Sequence, residues 1–223
     1  MTAMNVWTQP GAAYLLTDSA FYTPDGKILA FGEKMIDVTG DFRAAMAPTG
    51  ALLPHWLIEA VSDIDADSFG QFLSFLPSVL RRLEKRAPGD TMAMAVIGFH
   101  EGAQEPSAYL LGNDHGAIPE PYVPYTVAEV AHHFSGCAHT AFDREVDFAD
   151  PASFDPERDG LTLIEAQRRD PFEDVEGSPY RIGGHAILTR LDRGGITHKI
   201  LREWPDVVGE RIRPEAVEGP SAA

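Results

Sequence analysis

Thr2 stands directly after Met1. Methionine in front of a small residue is normally trimmed after translation. Trimming would leave Thr2 with a free α-amino group beside its own hydroxyl. In that pairing the amine takes the hydroxyl proton while the oxygen attacks a carbonyl, and water later releases the acyl group. Asp18 follows sixteen residues on, and Lys34 sixteen beyond that. Lys34 is one of only four lysines (Lys27, Lys34, Lys85, Lys199) among eighteen Lys and Arg. A lysine in a partly dry site lowers the pKa of a neighbouring hydroxyl or amine, and a paired carboxylate would hold that lysine charged. Blander roles fit the same residues. Thr is common after an initiator, Asp18 with Ser19 can cap a turn, and Lys34 can point outward from an edge strand.

The elements that must position these groups are short strands. AMNVWT and AAYLLTDS flank a Gln9-Pro10-Gly11 turn, and DGKILAFGEKMIDV follows a Pro24-Asp25-Gly26 turn. This arrangement resembles the opening of a proteasome-type β subunit, of the N-terminal-nucleophile hydrolase superfamily, in a divergent bacterial-type form. The resemblance implies Thr2 as nucleophile, Asp18 pairing with Lys34, and Lys34 lowering the nucleophile's pKa. It implies an oxyanion donor in the loop AMAPTGALLP, where Gly50 matches best and Thr49 is the alternative; Pro48 has no N–H to give. Two or three extra residues separate Lys34 from Gly50. It implies a further Ser in HFSGCAH, Ser135, although Phe134 replaces the first glycine of that turn. Gly183 and Gly184 in GSPYRIGGHAIL match family glycines. The acid expected near the start of that strand is missing, and Ile182 stands where a Ser belongs.

The implied function is cleavage of peptide or amide bonds by a threonine-type protease without cofactor or metal. The implied assembly is a homo-oligomer stacked as a ring, with an unfoldase as partner. The alternative is a structural or binding subunit that keeps the fold and has lost the chemistry. A small-molecule amidase is a third option.

The composition narrows the partners. Hydrophobic residues make up 44% of 223, charged residues 23%, and the net charge is −16. That charge argues against nucleic acid and anionic membranes as partners. The single cysteine, Cys137, excludes an intrachain disulfide and fits a reducing compartment. With no apolar run of about 18 residues and no signal-like N-terminus, a cytoplasmic location is expected. His132, His133, Cys137 and His139 match no strong zinc spacing. The glycine pairs at Gly183 and Gly194 lack phosphate-loop context.

Strands are expected over 3–8, 12–18, 27–31, 34–38 and 42–47, a helix over 53–61, and a second over 66–86. The second carries Phe69, Phe72, Leu73, Leu76, Val79, Leu80 and Leu83 at helical spacing. Arg81, Arg82, Lys85 and Arg86 at its end suit the helix dipole. Strands are expected again over 91–99 and 107–112, a loop over 113–125, a short helix over 126–134, an acidic loop over 143–160 and a helix over 160–169. A hairpin of 180–192 and 195–203 closes the series. This order is α+β. The resemblance makes it an Ntn-hydrolase-like four-layer αββα sandwich, two mainly antiparallel sheets flanked by helices. One domain is expected over residues 1–213, followed by a disordered tail, 214–223.

Overall fold

The computed structural model describes residues 3–23, 25–114, 122–134, 153–171 and 179–214. The chain opens with six strands: β1 (Met4–Gln9), β2 (Ala12–Asp18), β3 (Ala20–Tyr22), β4 (Ile28–Phe31), β5 (Ile36–Thr39) and β6 (Arg43–Gly50). Helices α1 (Pro54–Ser62) and α2 (Phe69–Glu84) follow, then β7 (Met92–Gly98) and β8 (Ser107–Gly112). Two three-residue strands come next, β9 (Ala128–Val130) and β10 (His132–Phe134). Helix α3 (Arg158–Arg169) and the hairpin β11 (His185–Asp192) and β12 (Gly195–Glu203) complete the order. The strands form two five-stranded sheets, β10-β1-β2-β11-β12 and β5-β6-β7-β8-β9, and a small β3-β4 sheet. Every strand pairing is antiparallel.

Side-chain alternation explains how the two large sheets stack. In β2, Ala13 and Leu15 face the other large sheet, whereas Ala12, Tyr14 and Leu16 pack toward α3. In β7, Ala93, Ala95 and Ile97 face the first sheet, and Met92, Met94 and Val96 face α1 and α2. Period-two strands with both faces covered therefore read as unbroken apolar runs. The inter-sheet layer is rich in alanine (Ala45, Ala47, Ala93, Ala95, Ala108), which lets the sheets approach closely. On α2 the stripe from Phe69 to Leu83 is fully buried against β6 and β7. Each such Leu or Phe contributes about 1.5–3 kcal/mol by leaving water. Ser68 caps α2 by accepting from Gln71 N. The basic residues at its far end have structural partners. Arg86 makes two bonds of 2.8 Å to Glu59, Arg82 donates to Ala60 O, and Arg81 lies over the Tyr125 ring.

Several expectations are corrected. The four-layer αββα class does not stand: the described residues are mostly β, with 39% strand against 21% helix over three sheets and three helices. One described helix covers the outer face of the first sheet, and residues 126–134 add no further helix. That segment instead forms β9 and β10, because β8 and β1 offer open edges whose hydrogen bonds outweigh the local helical spacing. The β3 strand was not expected. AMAPTGALLP is no loop either. Most of it is the end of β6, where Pro48 is tolerated because β5 reaches only to Met46.

Other expectations fall outside the described residues: Thr2, Ser135, Cys137, His139, residues 143–152 of the acidic loop, and the tail from residue 215. Among the described residues no helix is long and apolar enough to cross a membrane.

Candidate functional site

Asp18 ends β2 and is fully buried. Its carboxylate gathers four donors. Oδ1 accepts from Lys34 Nζ at 2.8 Å and from Ala3 N at 3.2 Å. Oδ2 accepts from Gly183 N at 3.2 Å and Ala20 N at 3.3 Å. The sixteen-residue interval to Lys34 is the length of an excursion. The chain leaves along β3, turns, and returns along β4, so that Gly32 N bonds Ser19 O and Lys34 arrives beside Asp18. Lys34 is 2% exposed, with its ammonium 5.4 Å from the Phe21 ring centre. Burial pushes the Lys34 pKa down, and Asp18 opposes that shift. Among the described residues, the buried Lys34 ammonium thus has one carboxylate partner.

Backbone from the start of β11 seals the other side of Asp18. Ser19 N and Ala20 N donate to Gly183 O, and His185 N donates to Ser19 Oγ at 2.8 Å. A Cβ on Gly184, at φ +77°, would lie 2.4 Å from Ser19 Oγ, so glycine is required for this close approach. Arg168 of α3 holds the segment in place by donating to Ile182 O at 2.7 Å and to both oxygens of Asp206. Ile182 is buried in the apolar cluster under α3, and Arg181 lies over the Tyr22 ring.

Gly50, the last residue of β6, has φ +76°, and a Cβ there would meet Thr91 O at 2.0 Å. Gly50 and Lys34 line one cavity of ≈ 80 Å³, with Phe21, Tyr22, Leu53 and Pro54 among its other walls. That is room for a few water molecules. The structure therefore brings Asp18, Lys34 and Gly50 to one place.

Two site residues escaped the sequence reading. Asp206 accepts from Gly184 N at 2.8 Å and pairs with Arg168. It follows Pro205 in an irregular stretch, and no spacing in the sequence points to it. Tyr22 lines the cavity, and its hydroxyl is buried without a hydrogen-bond partner among the described residues. Burial and Asp18 raise its pKa, against Arg181, so its proton stays on. Its place in an unexpected strand hid it. Among the described residues no group of three or more His, Cys, Asp or Glu is placed to hold a metal ion.

Solved structures of Anbu proteins share this fold. Anbu from Hyphomicrobium sp. strain MC1 aligns with a TM-score of 0.65 at 11% identity, over 92% of this chain and 89% of that one. Anbu (ancestral beta-subunit) from Yersinia bercovieri aligns with a TM-score of 0.60 at 10% identity, over 89% and 86%. No protein-family model matches the chain. No curated protein matches it either. These findings overturn the assignment to the proteasome-type β-subunit family. At such identity the likeness is one of fold alone. The interval between Asp18 and Lys34 is carried by the β3–β4 hairpin.

Proposed function

We propose that the chain is an N-terminal threonine hydrolase of peptide or amide bonds, with Thr2 as nucleophile once Met1 is removed. One observation carries the reading. Asp18 Oδ1 accepts both the Lys34 ammonium and the N–H of Ala3, the residue covalently joined to Thr2. In this mechanism the Thr2 amine, directly or through a water, takes the hydroxyl proton as the oxygen bonds to the carbonyl carbon. The Lys34 charge favours the oxyanion side of that equilibrium, and a backbone N–H at Gly50 serves as oxyanion donor. The proton passes to the leaving amine as the C–N bond breaks. Water then cleaves the ester and restores the hydroxyl.

A β-lactone or peptide-boronate probe tests this reading. Stoichiometric labelling of the native chain that is lost in Thr2→Ala is the expected result. Labelling unaffected by that change removes Thr2 from the mechanism. The description of one structural neighbour as a beta-subunit supports an assembly of like copies, which light scattering of the purified chain measures.

A second reading has an observation of its own. Ile182 stands where a supporting hydroxyl was expected and is buried in apolar core. A chain that retains Met1 in intact-mass measurement would serve as a binding or structural subunit instead.

A further inference from the structure

A second cavity, of ≈ 480 Å³, opens between the end of α1 and the middle of α2. It shares no lining residue with the Lys34 cavity. Its apolar lining comes from Ala60 and Ile64 on the α1 side and from Phe75 and Val79 on α2. Phe75 remains 40% exposed there, a large ring beside an unfilled groove. The volume lies within the range of about 300–1,000 Å³ typical of ligand clefts.

The mouth of this groove is negative for two reasons. Asp63 caps the C-terminus of α1 and Asp65 follows, and both line the cavity. Neither carboxylate has a hydrogen-bond or ion-pair partner among the described residues. A helix C-terminus also carries partial negative charge, which basic residues in the last turn usually offset; α1 has none there. Among the described residues Arg82 is the one cation lining the groove, and its Nη2 donates to Ala60 O at 2.7 Å. The nearby Glu59 and Arg86 neutralise each other. An apolar floor beneath two free carboxylates, on a chain of net charge −16, matches a ligand that is apolar at its tip and cationic beside it.

We infer that this groove docks a peptide segment of a partner protein. An apolar side chain of the segment enters between Ile64, Phe75 and Val79, and an adjacent Lys or Arg pairs with Asp63 and Asp65. The acidic field of the whole chain speeds the encounter. The function proposed for the Lys34 site plays no part in this docking.

Two capped peptides test it against the full-length ¹⁵N-labelled chain: Ac-KLLR-NH2 and the charge-reversed Ac-ELLE-NH2. The expected result is saturable shifts confined to residues 60–82 with the basic peptide and none with the acidic one. The apparent Kd should rise at least fivefold from 50 mM to 500 mM NaCl. The exposed-site double variant Asp63→Asn, Asp65→Asn should weaken binding at least fivefold, and Phe75→Ser should abolish it, with both spectra otherwise native. Equal binding of the two peptides overturns the proposal. So does an unchanged Kd in the double variant, and so do shifts elsewhere or none at millimolar basic peptide.

Discussion

Asp18 and Lys34 form a buried ion pair, and their dependence on each other is unequal. Without Lys34 the carboxylate keeps three backbone N–H donors; without Asp18 the ammonium keeps no hydrogen-bond partner among the described residues. Asp18→Ala should therefore cost about 3–5 kcal/mol, the range for stranding a buried charge. Lys34→Met should cost only about 1–2 kcal/mol, nearer a lost hydrogen bond. Urea unfolding of the two variants measures this, and equal losses would contradict it. His133 gives a pH dependence. Burial, with His132 adding to it, pushes its pKa down to about 4 from 6.5. Between those values the unfolded chain binds more protons, so stability rises with pH up to about 6.5 and is lost on acidification toward 4. At most roughly 2 kcal/mol should disappear between pH 7 and pH 5. His133→Gln should flatten that part of the profile in urea titrations at the two pH values.

At the level of elements, α2 is seated by one close contact. A Cβ on Gly98, the last residue of β7, would lie 2.4 Å from the Phe69 ring at the start of α2. Gly98→Ala should cost about 1–3 kcal/mol through overpacking. Adding Phe69→Leu should recover part of the loss, and a double-mutant cycle by thermal unfolding reads the coupling. The sequence made α2 legible because seven apolar residues recur on one helical face and Ser68 supplies a cap. The β1-β2 hairpin was legible through its Gln-Pro-Gly turn. The segment 126–134 was not. Two strands of three residues are too short to display a period, and their pairing depends on edges belonging to β8 and β1, distant in sequence. The same limit applies at the site. Asp18 and Lys34 could be singled out because a local hairpin sets their spacing, whereas Asp206 reaches the site through tertiary packing alone and Tyr22 sits in a strand, β3, too short to display a period.

For the molecule as a whole, the net charge of −16 implies self-repulsion that salt relieves. The unfolding midpoint should rise between 20 mM and 500 mM NaCl, and a fall would mean that the exposed ion pairs outweigh the general repulsion. One feature of the stacked sheets has a mechanical side. Along one flank the polypeptide passes directly from one sheet to the other, β9 to β10 through Ala131, whose carbonyl also accepts from Thr8 N and Oγ1. Along the opposite flank the edge strands β5 and β12 are joined by His198, which bonds Asp37 at 3.0 Å and Thr189 at 2.8 Å. The molecule is built like a book with a covalent spine at β9–β10 and, on the facing flank, a clasp at His198. Forced apart, the sheets should open at the clasp and stay closed at the spine, and amide exchange should spread inward from β5 and β12 before it reaches β8 and β1.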